Sequence, residues 1–141
     1  MPAAPFTDAE LEYLASQQLG RLATVTPEGR LQVKPVMFSY NAAEQTIDVG
    51  GHNMGGSRKY ANVKANAEAA FVVDDMLSAN PLRLRGIEVR GNAEALAGQG
   101  PEPAGSGGEI IRIRPRRVVC SGIDAAEPGI FGGPGRHSRT V

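Results

Sequence analysis

The sequence has few of the residues that mark specialised classes of protein. Its 141 residues include one cysteine, no tryptophan, four phenylalanines and three tyrosines. A single cysteine excludes a disulfide within the chain and a cysteine-rich zinc site, and it is typical of a reducing cytoplasm. With 15 basic and 15 acidic side chains, the formal net charge is +0, so the chain as a whole does not attract nucleic acid or anionic lipid. Any anionic ligand must therefore bind to a local cluster of charges.

Long apolar runs are also lacking. None approaches the roughly 20 residues that span a bilayer, and the opening MPAAP has neither the basic nor the apolar segment of a signal peptide. The length is that of one ordinary domain. We expect one soluble cytoplasmic domain over residues 1–141, with its core at about residues 6–124. Glycine and proline predict a mobile loop at 98–108, and the absence of periodicity predicts an irregular tail at 125–141.

The N-terminal segment predicts a helix with a capping box. Thr7 can cap the helix, Glu10 follows three residues later, and Phe6 precedes the cap. Gly20 is placed to end the helix.

Most of the remaining sequence predicts antiparallel strands. They cover residues 21–26, 31–40, 46–49, 69–73, 82–96 and 109–121, and a second helix begins at Ser57. Pro35 predicts an edge or a bulge in the second strand, and Asp74 and Asp75 are expected to end the fourth. A parallel sheet would need a helix at almost every crossover. We therefore expect a mainly β fold, a six-stranded antiparallel barrel with peripheral helices.

The sharpest functional feature is the segment GGHNMGGSRK, residues 50–59. A strand enters it, glycines allow close backbone approach, and a helix begins at Ser57, where free N–H groups favour an anion. Arg58 and Lys59 add positive charge suited to phosphate. The alternative is a flexible loop before an ordinary capped helix. The segment matches neither a Walker A motif nor a GxGxxG fingerprint.

Other candidates have simpler explanations. His52 could donate a proton or could be a surface loop residue, and Cys120 is expected to be a small buried side chain. No spacing predicts a metal site. A second set of cations could extend a basic groove or lie on the solvated face of two strands: Arg83, Arg85, Arg112, Arg114, Arg116 and Arg117. With so few aromatic residues to stack on bases, we expect no nucleic-acid partner.

The ordered set GRLATVTPEGRLQVKPVMFSY, TIDVGG, SRK, AAFVVDD and RGIEVRGNAEAL resembles the FMN-binding split-barrel family related to pyridoxamine 5′-phosphate oxidase. The similarity is greatest to its actinobacterial branch, which uses the deazaflavin F420. The resemblance implies a split barrel and a homodimer whose sites are built from both chains. It also implies that Ser57, Arg58 and Lys59 bind the cofactor phosphate. The residues implied beside the ring system and the ribityl–phosphate arm are Lys34, Pro35, Val36, Met37, Phe38, Gly50 and Gly51.

Three positions depart from patterns in this family. Ser39 stands where FMN-binding oxidases carry a basic residue, Arg85-Gly86 stands where they carry a glutamine, and no tryptophan follows Val118-Val119. The first two departures weaken an FMN assignment. The resemblance therefore implies an F420-dependent oxidoreductase that transfers a hydride to or from an electrophilic small molecule. An FMN-dependent flavoprotein and a non-catalytic carrier of F420 or flavin remain as alternatives, and no membrane partner is expected.

Overall fold

The computed structural model describes residues 4–99, 108–123 and 136–141. Two helices, α1 (Asp8–Ser16) and α2 (Arg58–Ala65), flank a sheet, and a 3-10 turn covers Met54–Gly56. The strands are β1 (Leu19–Val25), β2 (Leu31–Asn41), β3 (Thr46–Gly50), β4 (Glu68–Ala79), β5 (Leu82–Leu96), β6 (Ile110–Ser121) and β7 (Arg136–Thr140).

The strands form an antiparallel sheet in the order β3-β2-β1-β4-β5-β6-β7, and an additional β3–β6 pairing closes the first six strands into a barrel. This confirms the predicted mainly β barrel. β6 is shared along its length, because residues 111–113 pair with β3 and residues 117–121 pair with β7. The barrel is closed only along part of β6, which is the arrangement of a split barrel.

The closing seam between β3 and β6 is both apolar and charged. Ile47 pairs with Ile113 and Val49 with Ile111, and all four side chains are buried. Between them Arg112 donates two hydrogen bonds of 3.1 Å to Asp48. Burial raises the pKa of Asp48, but the hydrogen bonds from Arg112, Asn41 and Thr46 together outweigh it and hold the pKa below its usual value. The seam therefore places a satisfied ion pair in an otherwise apolar wall.

The first helix begins as predicted but ends earlier. Thr7 Oγ1 accepts a hydrogen bond from the Glu10 amide, and Glu10 Oε1 accepts one from the Thr7 amide, so the capping box is confirmed. The prediction that Gly20 ends the helix is wrong, because the helix ends at Ser16 and Gly20 lies in β1. A Cβ at Gly20 would lie 2.4 Å from the ring of Phe71, so close packing requires glycine there.

Two further strand predictions are corrected. The carboxylates of Asp74 and Asp75 do not end β4, which continues to Ala79 and forms a long hairpin with β5. Part of the expected irregular tail is the strand β7, so the described residues form seven strands rather than the predicted six. The predicted loop falls mostly on residues 100–107, outside the described residues, and Gln99 N donates to Gly108 O at its base. In the described part of the chain, neither helix has the length and apolar character needed to cross a membrane.

The second strand pairs with different strands along its two halves. Residues 31–37 of β2 pair with β1, whereas β3 pairs only with residues 37–41. Residues 31–36, which we call the open edge of β2, therefore have no strand beside them on the β3 side in the described chain. Pro35 lies in this open edge, as its missing N–H predicts.

Candidate functional site

The glycine segment places the N-terminus of α2 beside the end of β3. β3 ends at Gly50, the 3-10 turn follows, and Ser57 is the N-cap of α2. Ser57 Oγ accepts a hydrogen bond from the Tyr60 amide and donates one of 2.6 Å to the Met54 carbonyl. Its hydroxyl proton is thus already used. The first turn of α2 would offer an anion its backbone N–H groups rather than a serine donor.

Gly50 and Gly51 leave room for a ligand. A Cβ built at either position has no atom within 4 Å. Gly51 also has a φ of +156°, which side-chain-bearing residues rarely adopt. The strand end is therefore open to close approach by another molecule.

The five predicted residues of β2 do not share one face. Lys34 is opposite Leu22 in the register, and Leu22 points into the core, so Lys34, Val36 and Phe38 have the inward orientation. Pro35 and Met37 point outward and are exposed. Val36 is buried in the core, so a ligand beside it would contact backbone rather than the side chain.

The register brings part of the predicted site together. Met37 is directly opposite Gly50, so the strand predicted to lie beside the ring is paired with the start of the glycine segment. Lys34 lies on the open edge of β2, and its side chain is exposed. The open edge of β2 therefore begins directly beside the end of β3, at a position that we call the gap beside β2, and residues 51–57 lead from there to the N-terminus of α2.

The three cations among the predicted site residues have no carboxylate partner in the described part of the chain. Within residues 4–99, 108–123 and 136–141, Lys34, Arg58 and Lys59 make no salt bridge or side-chain hydrogen bond. The arginines on β5 and β6 differ: Arg85 pairs with Asp75, and Arg112 pairs with Asp48. Arg114 and Arg116 also pair with glutamates. The positive charge that is not neutralised by neighbours therefore includes the predicted phosphate site, whereas most of the second cation set lies in ion pairs.

The sequence did not predict a cleft of about 970 Å³ between α1 and β7. None of the ten predicted site residues lines it. Its main side chains are Glu10, Tyr13, Arg85, Cys120 and Arg139. The capping box was the only local signal for this region, because Glu10 and Arg139 are 129 residues apart in the chain.

The polar groups of this cleft satisfy one another. Glu10 is buried and accepts bonds from Arg139 and from the Cys120 thiol at 3.1 Å. Burial raises the pKa of Glu10, but hydrogen bonds led by Arg139 outweigh it and keep the pKa below its usual value. Burial and the neighbouring carboxylate raise the pKa of Cys120 to about 11, so the thiol is protonated and poorly nucleophilic. Cys120 is buried, as predicted.

The remaining candidates give no second reactive centre. His52 is exposed in the turn after β3. Within the ranges that the structure describes, no three His, Cys, Asp or Glu side chains converge as metal ligands would. Binding at the gap beside β2 therefore has the stronger chemical basis.

A six-stranded antiparallel barrel, closed by β3 and β6 and open along half of β2, defines the class of split-barrel proteins. The comparisons with known proteins agree with this class. Residues 6–118 match the pyridoxamine 5′-phosphate oxidase family, and the chain belongs to that family.

One relative is a reductase. The chain is 43% identical over 121 residues to the 5a,11a-dehydrotetracycline/5a,11a-dehydrooxytetracycline reductase of Streptomyces rimosus, and the match covers 85% of each chain. The family and this relative together identify the chain as an oxidoreductase.

Two solved structures are similar in fold. One is named an F420 reductase, with 28% identity and a TM-score of 0.57 over 76% of this chain and 94% of that one. The other is an FAD binding protein from Mycobacterium smegmatis, with 17% identity and a TM-score of 0.57 over 82% and 94%. The second likeness supports the fold alone.

Proposed function

We propose that the protein is an F420-dependent reductase, which transfers a hydride between reduced F420 and an electrophilic small molecule. The observation that carries the proposal is that three cations of the predicted site make no salt bridge among the described residues: Lys34, Arg58 and Lys59. F420 is anionic, with a phosphodiester and a polyglutamate tail, so a neutral chain must bind it through such a group. When bound, the deazaflavin supplies the hydride chemistry.

The residues of this chain would bind and orient the cofactor. The N-terminus of α2, with Arg58 and Lys59, would hold the phosphate through backbone N–H groups and two cationic side chains. The open edge of β2 would offer unpaired backbone groups to the ring system. Gly50 and Gly51 would leave space for the arm between ring and phosphate. Fixing the ring against a rigid strand orients the reacting carbon toward the substrate.

The outer face of the same strand supports a homodimer. Leu31, Val33 and Met37 alternate along β2 and are 80%, 63% and 64% exposed, and Leu19 lies opposite Met37 on β1. Met76 on β4 has the same outward orientation. An exposed apolar sheet face of this kind marks an interaction surface. A second copy packed there would cover the open edge of β2, so each site would be completed by its partner.

The substrate class follows from the reductase relative. That protein is named for reducing 5a,11a-dehydrotetracyclines, which are polycyclic molecules with an electrophilic double bond. We propose a substrate of the same chemical class, a conjugated enone on a fused ring system.

The phosphate site is tested by the double variant Arg58→Ala/Lys59→Ala. We expect its affinity for F420, followed by cofactor fluorescence, to fall at least about tenfold, or roughly 1.4 kcal/mol. The matched control is Arg83→Ala/Arg136→Ala, which removes the same charge from β5 and β7. Equal F420 affinity in the double variant and the wild type would refute the placement of the phosphate.

Cofactor titration and a hydride-transfer assay distinguish the proposed function from the two alternatives. The family is named for a pyridoxamine 5′-phosphate oxidase, and FMN would use the same phosphate site. A purified protein with FMN absorbance and no F420 affinity would replace the first proposal with an FMN-dependent flavoprotein. Tight F420 binding without hydride transfer to any of a panel of enones would favour a carrier.

A further inference from the structure

The phosphate-binding helix is tied to the ring-binding strand by one buried amide. Asn62 of α2 is 0% exposed, and its Nδ2 donates to Thr24 Oγ1 at 3.0 Å and to Gln32 Oε1 at 2.9 Å. Thr24 and Gln32 are directly opposite each other in the β1–β2 register. Both protons of the amide are therefore used to bind two strands at a single rung of the sheet.

This amide is not the arrangement that packing alone would favour. Asn62 Oδ1 is buried and has no hydrogen-bond partner among the described residues. A buried acceptor without a partner costs about 1–3 kcal/mol. An apolar side chain would fill the position without that cost. Asn62 therefore lowers stability relative to an apolar residue, and it provides two directional hydrogen bonds to the sheet.

The link lies between the two parts of the proposed cofactor site. Arg58 and Lys59 precede Asn62 by about one helical turn, roughly 5–6 Å along the axis. Lys34 follows Gln32 by two residues on the same face of β2, roughly 7 Å away. In the described chain these are the only side-chain hydrogen bonds that join α2 to β1 or β2.

We infer that Asn62 is a positioning residue, which sets the cationic N-terminus of α2 at the distance from β2 that a phosphate-bearing flavin or deazaflavin requires. This inference rests on the proposed function. Asn62 lies on the buried face of α2 and is 0% exposed, so its role would be to hold the helix rather than to contact a ligand. Its effect is confined to the spacing between the ring and phosphate sites. Replacing Asn62 should therefore weaken the contribution of the phosphate to the binding affinity and leave the contribution of the ring unchanged.

The test compares ligands with and without the phosphate. FMN and riboflavin form one pair, and F420 and its deazaflavin ribityl fragment, which lacks the phosphodiester and tail, form the other. Dissociation constants are measured by cofactor fluorescence for the wild type, Asn62→Leu and Tyr60→Phe. Tyr60→Phe is the matched control, because it removes the other side-chain tether of α2, a 3.2 Å bond to the Leu96 carbonyl on β5.

For Asn62→Leu we expect about a tenfold loss of affinity for the phosphorylated ligand and less than about a twofold change for its phosphate-free counterpart. For Tyr60→Phe the ratio of the two affinities should stay at the wild-type value. An equal loss for both ligands in Asn62→Leu, or no loss for either, would overturn the inference.

Two further variants keep the result interpretable. If Asn62→Leu does not fold, Gln32→Met removes one acceptor and leaves the Thr24 bond, and the ratio should shift in the same direction by a smaller factor. Arg58→Ala/Lys59→Ala provides the reference. If it leaves the ratio unchanged, the proposed phosphate site is wrong. If it abolishes the phosphate contribution while Asn62→Leu and Gln32→Met do not reduce it, only the inference about Asn62 is wrong.

Discussion

The ion pair between α1 and β7 gives the sharpest stability prediction. Arg139 on β7 donates a 3.0 Å bond from one guanidinium nitrogen to Glu10, and a second nitrogen bonds the other carboxylate oxygen and the Pro5 carbonyl. Glu10 is only 3% exposed. Replacing Arg139 with methionine keeps most of the apolar stem but leaves a buried carboxylate without its cation.

The size of the effect follows from this burial. Removing one partner of a fully buried pair costs about 3–5 kcal/mol. The side chain of Arg139 is 31% exposed, and solvent screening weakens the pair, so we expect about 2–4 kcal/mol. For a chain of this length such a loss lowers the midpoint of thermal unfolding by roughly 10 °C.

The pH dependence supplies a second signature. In the folded wild type, the pKa of Glu10 lies below its usual value. The stabilisation from the pair is therefore complete above the unfolded pKa and is lost as the pH falls through the folded pKa. In Arg139→Met the unpaired burial should raise the pKa of Glu10 above its unfolded value. The dependence of stability on pH then has the opposite sign, and the variant should lose stability as the pH rises through the folded pKa of Glu10.

Thermal unfolding followed by circular dichroism between about pH 4 and pH 8 covers both regimes. The matched control is Arg136→Met, on the same strand, because Arg136 is exposed and has no salt bridge in the described residues. If Arg139→Met shifted the midpoint no more than Arg136→Met and kept the wild-type pH slope, the reasoning from a buried pair would be refuted.

Three further predictions concern packing, reactivity and assembly. Gly20→Ala should lower the free energy of unfolding by about 1–3 kcal/mol, because its Cβ would meet the Phe71 ring at 2.4 Å; Gly50→Ala, with nothing within 4 Å, should unfold in urea as the wild type does, and equal effects would contradict the contact. Burial and a pKa raised to about 11 should keep Cys120 unmodified by iodoacetamide at neutral pH until the protein is unfolded; mass spectrometry checks this, and rapid native labelling would disprove it. Met37→Glu should convert the proposed homodimer to monomer in sedimentation experiments, because it places a charge in the apolar face, and an unchanged dimer would place the interface elsewhere.

Local patterns in the sequence were sufficient for most of the barrel. The capping box at Thr7 and the second helix beginning after Ser57 depend on neighbouring residues, and the structure has both. The segments predicted as strands are likewise found in strands, although several boundaries differ. Period-two burial along a strand and turn residues between strands are local signals, so they can be read without knowledge of the fold.

The errors occur where distant residues determine the structure. β7 reads RHSRT, without a single large apolar side chain, and it is a strand because β6 offers an edge and Glu10 binds Arg139. β4 continues past Asp74 and Asp75 because Arg21 and Arg85 neutralise them from other strands. Arg21 is 53 residues from Asp74 and Arg139 is 129 residues from Glu10, so no local window of sequence contains these two pairs.

Ion pairing also explains how a chain of zero net charge could provide the proposed anion-binding site. Most arginines on the barrel face a carboxylate: Arg21, Arg85, Arg90, Arg112, Arg114 and Arg116. The fields of such pairs cancel within a few ångströms, and salt screens what remains beyond about 8 Å at physiological ionic strength. Lys34, Arg58 and Lys59, which make no salt bridge among the described residues, are the charges that the proposed site would use. The net charge of the sequence describes the average over the surface, whereas the pairing pattern determines where an anion is attracted.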